Sequence, residues 1–420
     1  MSRLSALGVS SRISNGKGDS CPTVHGMDRW LLRMFLRSIG DPPLRAKLWD
    51  GADSGLHGAL PVVGMVIHDR TTLWRLLTNP LLNFGDDYSA GRIEIEGGVV
   101  PFMETVYRAM TGKERREPSL RRHRNSPDGN SVAAARGNIH HHYDIGNDFY
   151  RLWLDREMLY TCAYFPHPAA SLEEAQIAKM ELVCRKLRLK SGQRVVEAGC
   201  GWGALARHMA REYGVTVRSF NISREQIVHA REAAKAEGLG KVIEYVEDDY
   251  RNISGRHDVF VSVGMLEHVG PEHYRELGRV IDRSLTGDGI GLIHTIGQNS
   301  PQPMSPWLLS RIFPGSYPPT LGEMMEIFGP CDFSVLDVEN LRLHYARTLE
   351  QWLHRFEENR ERITEMFDAT FVRSWRLYLS GAIANFNLGN LQLFQVVFSR
   401  AANNLIPSRP SPLALVSDPL

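Results

Sequence analysis

Apolar and polar positions along the chain follow two periods, and the switch between them divides it. The run MDRWLLRMFLRSI (27–39) repeats its apolar residues at helical spacing and predicts a short amphipathic helix. Residues 43–112 mix the two periods. LPVVGMVIHD reads as a strand and TTLWRLLTN as a helix opened by a threonine cap. RIEIEGG alternates with period two and stops at a glycine pair, and VVPFMETVYRAMTG returns to helix. Together these predict a small N-terminal α+β domain over 27–112.

The Ser/Gly-rich residues 1–26 predict a loose start, and 406–420 a flexible tail. Residues 113–136, charged and then small (NSPDGNSVAAARG), predict a linker. Beyond Gly137 strands and helices alternate. RVVEAG, VTVRSFNI, VIEYVEDD, DVFVSVGM and IGLIHTIG are strand candidates; GALARHMAREYG and SREQIVHAREAAKAEGL are helices. That order predicts an α/β domain over 137–405, a Rossmann-like, mostly parallel sheet with helices on both faces. TLEQWLHRFEENRERITEMF and VRSWRLYLSGAIANFNLGNLQLFQVVF predict C-terminal helices. Within the second, Gly381–Phe398 reads either as a core helix or as a wall of an apolar tunnel. The aromatic, Pro-rich residues 305–319 suggest a lid over it.

Composition narrows the function classes. A formal net charge of +1 argues against a dedicated polyanion binder. The basic run GKERREPSLRRHR (112–124) reads as a solvated linker or as a contact for anionic lipid head groups. No aromatic residue interleaves it, so nucleic acid is not expected as a partner. Five irregularly spaced cysteines predict reduced thiols in a cytoplasm. There is no CxxC pair, so no metal is expected. No apolar run approaches the roughly 18 residues of a membrane span, and the first residues lack the apolar core of a secretory signal.

The chemistry centres on RVVEAGCGWGALARHMA (194–210), where a strand hands over to a helix. Gly199, Gly201 and Gly203 are spaced G-x-G-x-G, unlike the dinucleotide G-x-G-x-x-G, and no P-loop lysine follows. Ligands of open parallel sheets bind at the strands' carboxyl ends, where glycine lets the backbone come close. The stretch EAGCGWG resembles motif I of class I S-adenosylmethionine-dependent methyltransferases, which implies that the loop passes the cofactor's methionine part. After the next strand, FNIS places Asn221, with Gln226 beyond it, where a ribose is usually held. An acid is more usual there. Asp249 and Tyr250 of EDDYRNI stand where adenine would lie.

Further stretches narrow the resemblance: HHYDIGNDFYRLWLD (141–155), MLYTCAYF (158–165), GMLEHVG (264–270), HTIG (294–297), LRLHYARTLEQWLHRFEENR (341–360) and the final apolar segment. Over about 137–400 the chain resembles the cyclopropane-fatty-acyl-phospholipid synthase family, and NFGDDYSAGRIEIEGG is faintly similar to that family's N-terminal domain. The resemblance implies that a cis double bond attacks the sulfonium methyl of S-adenosylmethionine, and that loss of a proton closes the ring. It implies a bound bicarbonate ion as the base, held by Cys162, Glu267, His294, the Ile296 backbone and Tyr345. The cofactor contacts it implies are Tyr160, Thr161, Gly199, Gly201, Asn221, Ile222, Gln226, Tyr250 and Arg251. His268 reads as structural, turned away from the cluster. The family further implies a lipid-carrier-like N-terminal fold, peripheral contact with a phospholipid bilayer at the inner membrane face, and a possible homodimer. Three alternatives stay open: a fatty-acyl C-methyltransferase making methyl-branched or methylene chains, a non-catalytic lipid-binding protein, and a methyltransferase of small molecules or nucleic acid.

Overall fold

The computed structural model describes residues 23–53, 63–114 and 145–405. The linker, nearly all of the basic run, most of the N-terminal stretch and the tail predicted above lie outside those residues.

The N-terminal unit comprises helix α1 (Gly26–Ser38), strands β1 (Arg45–Lys47) and β2 (Gly64–Ile67), helices α2 (Arg70–Thr78) and α3 (Pro80–Ser89), strand β3 (Ile93–Glu96) and helix α4 (Val99–Glu114). β1 pairs parallel and β3 antiparallel with β2. The cap of α2 is Asp69 rather than a threonine: its carboxylate accepts the Thr72 N–H. Asp and Thr are both good caps, and Asp69 comes first in the chain.

The larger unit follows: α5 (Asn147–Tyr150), α6 (Leu172–Lys186), β4 (Arg194–Ala198), α7 (Ala204–Tyr213), β5 (Thr216–Asn221), α8 (Arg224–Ala236), β6 (Ile243–Glu247) and β7 (His257–Val263). Then come α9 (Tyr274–Ser284), β8 (Leu285–Gly297), α10 (Pro306–Arg311), α11 (Leu321–Phe328), β9 (Phe333–Asn340), α12 (Arg342–Glu358), α13 (Arg360–Met366), α14 (Ala369–Leu388) and β10 (Gln392–Arg400). The sheet runs β6-β5-β4-β7-β8-β10-β9. Only β10 is antiparallel to its neighbours. Strand residues alternate between its two faces. Val195, Val217, Val259 and Leu292 pack with α6–α8, while Val196, Phe220, Phe260 and Ile293 pack with α9 and α11. This is the predicted doubly covered parallel sheet.

The last predicted helix needs correction. VRSWRLYLSGAIANFNLGNLQLFQVVF is not one helix: α14 stops at Leu388, Gly389 turns the backbone left-handed at φ +75°, and Gln392–Arg400 is a strand. β10 is buried on both faces, so it carries no period-two pattern and is indistinguishable from a buried helix by periodicity. Gly381–Phe398 is therefore half helix and half sheet.

The two units share one core. Leu32, Phe35 and Phe102 belong to the same apolar cluster as Trp153, Trp375 and Ile383. Arg373 of α14 donates to the carbonyls of Tyr88 and Ile93 at 2.6 and 2.7 Å, and its guanidinium lies 4.3 Å from the Tyr88 ring centre. α10 seats Trp307 directly on α3 at Gly85, where a Cβ would come within 2.4 Å of the indole, and Arg311 pairs with Asp86 at 3.0 Å. The segment 305–319 is thus fastened to the N-terminal unit, not a free flap. Gly85→Val should lower unfolding stability by about 1–3 kcal/mol through overpacking. An unchanged melting curve would show that α10 does not rest on α3.

Candidate active site

The glycine loop is built as its spacing suggests, and each glycine has a different reason. All three have positive φ: Gly199 +86°, Gly201 +52° and Gly203 +82°. A Cβ on Gly203 would meet the Tyr245 hydroxyl at 2.6 Å and Ala230 at 2.7 Å, and one on Gly199 would touch Met265 at 3.0 Å. Those two permit packing. A Cβ on Gly201 meets nothing within 4 Å. Gly201 therefore borders open space at the end of β4, as a loop that admits a ligand requires. The Trp202 indole N–H donates to Asn147 at 2.7 Å and ties the loop to α5.

Asn221, at the tip of β5, spends both amide hydrogens inside the protein, on the Gly201 carbonyl (3.2 Å) and on Gln226 (2.8 Å). Its oxygen accepts the Ser223 N–H. Asn221 and Gln226 thus hold the loop's shape, and the oxygen's second lone pair is what suits a hydroxyl donor. Ile222 follows, half-buried. Beyond β6, the Tyr250 hydroxyl is buried next to the Arg251 guanidinium. The Arg251 guanidinium is engaged by Asp249 and Glu276 and lies over the Tyr250 ring. Its side chain is held in that network and braces the Tyr250 ring.

Glu267, His294 and Ile296 stand at the carboxyl ends of β7 and β8, and a chain of backbone contacts links Ile296 to Tyr345 of α12 and to Cys162. Glu267 sits in a short turn after β7, and its Oε1 accepts the Ile296 N–H at 2.6 Å. Ile296 pairs across the sheet with Leu393, whose carbonyl accepts the Leu341 N–H at 2.8 Å. The Leu341 carbonyl in turn accepts the Tyr345 N–H and faces the Cys162 thiol at 4.0 Å. His294 lies two positions before Ile296, hence on the same face of β8. Each of these side chains except half-buried Ile296 is at most 8% exposed. The Ile296 N–H is already used by Glu267, which removes it as a donor to any further group.

Burial sets the charges here. It raises the Glu267 carboxyl from 4.5 to about 7, against the Ile296 and Glu267 N–H groups and the Thr295 hydroxyl, and Oε2 meets no partner within hydrogen-bond geometry among the described residues. It pushes the Cys162 thiol far up and holds His294 neutral, well below its usual range. The Gln395 amide nitrogen lies 3.0 Å from His294 Nδ1, which makes Nδ1 the acceptor and places the proton on Nε2. That Nε2 is buried and has no partner among the described residues. One orphan donor and one orphan acceptor of variable protonation fit a small group that both accepts and donates hydrogen bonds, as bicarbonate does. His268 turns elsewhere, toward Ser316 and Phe313, and burial keeps it neutral, near 4.

Aromatic rings wall this site. Tyr160 meets Trp153 and Trp352 at 5.2 Å between ring centres, and its hydroxyl lies 2.8 Å from that of Tyr378. Tyr345 packs on Phe386 at 4.7 Å. Residues 312–317 lie across the top: Phe313 meets Tyr378 at 5.2 Å, and the Tyr317 N–H donates to the Glu267 carbonyl.

Lys179 of α6 is a residue that sequence reasoning missed. It is 1% exposed, and its ammonium donates to Thr161 Oγ1 at 2.9 Å. Burial lowers it to about 8, while Asp155, Cys162 and Glu197 pull it back up. Asp155 accepts the Leu159 and Glu157 N–H groups and shapes the turn, strained at Met158 (φ +57°), that delivers Tyr160, Thr161 and Cys162. A lysine in a helix reads as solvated; the available signal was its place among apolar positions of α6.

Comparison with known proteins agrees with this architecture. The profile of the family described as mycolic acid cyclopropane synthetase matches residues 130–396, and a domain of unknown function matches 31–115. A "Probable fatty acid methyltransferase" of Pseudomonas putida is 35% identical over 371 residues, covering 84% of this chain and 91% of that protein. The cyclopropane-fatty-acyl-phospholipid synthase of Escherichia coli (strain K12) is 40% identical over 264 residues, 63% of this chain and 68% of that one. Among solved structures, cyclopropane synthase MmaA2 from Mycobacterium tuberculosis superposes with TM-score 0.61 at 29% identity, over 63% of this chain and 98% of that one. Mycolic acid cyclopropane synthase CmaA1, complexed with SAH and CTAB, gives 0.61 at 30% identity over the same shares.

Gly201→Val places a side chain in the open space beside the loop. Calorimetry should show S-adenosylmethionine affinity reduced at least about tenfold, a loss of about 1.4 kcal/mol or more, with the far-ultraviolet dichroism of the wild type. Wild-type affinity would contradict the loop's assignment.

Proposed function

The chain belongs to the mycolic acid cyclopropane synthetase family, and from that membership we propose that it transfers a methylene group to the cis double bond of a phospholipid acyl chain, closing a cyclopropane ring. It is an S-adenosylmethionine-dependent methyltransferase of class I fold. The observation that carries the finer reading is that Glu267 Oε2 and His294 Nε2 are both buried and without a hydrogen-bond partner among the described residues.

S-adenosylmethionine supplies an electrophilic methyl on a positive sulfur; bicarbonate, when bound, supplies a small base. The chain's own residues do the rest. Gly201 leaves room beside the loop, and Asn221 offers an acceptor to a hydroxyl. The faces of Tyr160 and Tyr345 favour positive charge on the donor and on the acyl chain, each by about 1 kcal/mol or more when water is absent. Neutral His294 holds a proton on Nε2 for an oxyanion without repelling a cation. Glu267, poised near neutrality, takes a proton at Oε2. Exclusion of water keeps the developing cation from hydrolysis.

A methyl-branched product is a second reading, favoured by the fatty acid methyltransferase name of a relative that matches both units of this chain. Both readings require proton movement at Glu267, and the product separates them.

The test is incubation of the full chain with labelled S-adenosylmethionine and vesicles of cis-unsaturated phospholipid. The acyl chain should gain one CH2 unit, lose its double bond and show ring protons by NMR; no incorporation would overturn the activity, and branched chains would install the second reading. Turnover should rise with pH through about 7, because Glu267 accepts only when deprotonated. Glu267→Gln should remove that limb and lower turnover about 100-fold or more, with cofactor affinity nearly unchanged. Equal loss of both would make Glu267 a cofactor contact.

A further inference from the structure

Lys179 of α6 is 1% exposed, and a buried cation is costly unless it is paired. Among the described residues its ammonium donates to no carboxylate. It donates to the Thr161 hydroxyl oxygen at 2.9 Å. Burial lowers it to about 8, against the pull of Asp155, Cys162 and Glu197, so at neutral pH it carries its charge. An ammonium only donates hydrogen bonds. Thr161 Oγ1 therefore accepts from α6, and the hydroxyl's own hydrogen points elsewhere. No described residue takes that hydrogen, and Thr161 is half-buried.

The rest of Thr161 is held as well. Gln176, one turn before Lys179 and fully buried, donates to the Thr161 carbonyl at 2.9 Å and to that of Leu159 at 3.3 Å. The Thr161 methyl rests on Gly264, where a Cβ would come within 2.8 Å of it. The next residue, Met265, packs on Gly199 of the glycine loop. Thr161 thus presents a directed donor beside that loop, with a fixed positive charge behind it.

We propose that Lys179 is a positioning residue, which fixes Thr161 as a hydrogen-bond donor toward the carboxylate of the methionine part of S-adenosylmethionine. A hydroxyl donor backed by a buried cation favours an anionic acceptor over a neutral one, because the hydrogen bond is charge-assisted and the ammonium's field is little screened. Two carboxylate-like anions are candidates, the cofactor's own and bicarbonate. The contact through Gly264 and Met265 sets Thr161 at the loop and favours the cofactor's; the neighbouring Cys162 thiol faces the Leu341 carbonyl instead. The inference rests on the cofactor assignment and is independent of the acyl product.

The experiment measures, by calorimetry on the full chain, the affinities of S-adenosylmethionine and of its decarboxylated form, which lacks only that carboxylate. The wild type should prefer the intact cofactor about tenfold or more, the size of one hydrogen bond to a charged group. Lys179→Met and Lys179→Gln, both uncharged, and Thr161→Val should each abolish most of that preference. Thr161→Ser, which keeps the hydroxyl, should retain it. Replacing a buried charge by an apolar chain of similar volume is tolerated by folds, and melting curves check that it is here. A merely structural loss would weaken both compounds alike and leave the ratio unchanged, and that outcome overturns the proposal. So does a wild type that binds both forms equally. A Lys179→Met protein that keeps the preference but needs more bicarbonate for turnover assigns the donor to bicarbonate and equally overturns it. A wild type that binds neither compound would fault the cofactor assignment itself, and the inference with it.

Discussion

A carboxyl group removed from water needs partners, and Glu267 has one firm one, the Ile296 N–H at 2.6 Å. Its second oxygen is buried with none among the described residues. Keeping such a group ionised costs the fold roughly 3 kcal/mol, from a shift of 4.5 to about 7. The sign follows from linkage. With the folded-state pKa raised, this contribution is harmless below pH 4.5, erodes stability between 4.5 and about 7, and is fully felt above that. The His294 Nε2 is likewise buried and without a partner among the described residues, so the fold tolerates this cost at two polar groups.

The architecture explains how the site is reached. Parallel strands bring the glycine loop, the Asn221 turn and the Glu267 turn to one edge, where the backbone runs out of sheet partners and is open to ligand. β10, inserted antiparallel between β8 and β9, anchors the far side: Gln395 fixes the tautomer of His294, and Leu393 links Ile296 to the start of α12. The turn from Asp155 to Cys162 closes the site from the other direction, held by buried Lys179 through Thr161. Polar groups fix the positions, and packed aromatic rings surround Tyr160 and Tyr345.

The sequence made part of this visible for physical reasons. Three positive-φ positions in five residues can hardly be anything but Gly199, Gly201 and Gly203, so the loop was legible. So was the alternation of β4–β8 with helices. β10 was not, because a strand buried on both faces loses its period. Lys179 was not, because a lysine on a helix reads as solvated until its ammonium is found inside. Glu267, His294, Cys162 and Tyr345 were reached through the family resemblance; they come from the turn after β7, from β8, from the loop before α6 and from α12, far apart in the chain. Arg251 was placed at the right turn, yet its guanidinium serves Asp249 and Glu276.

The most direct test of the account is the titration of Glu267 itself. Infrared difference spectra of the wild type against Glu267→Gln, with carboxyl-labelled glutamate, isolate this group from Glu197, which burial also raises to about 7. A protonated carboxyl band that disappears with a midpoint near 7 is the predicted result. A midpoint at the ordinary 4.5 would mean that water reaches Glu267, and that the pocket is not the dry proton-accepting site described above.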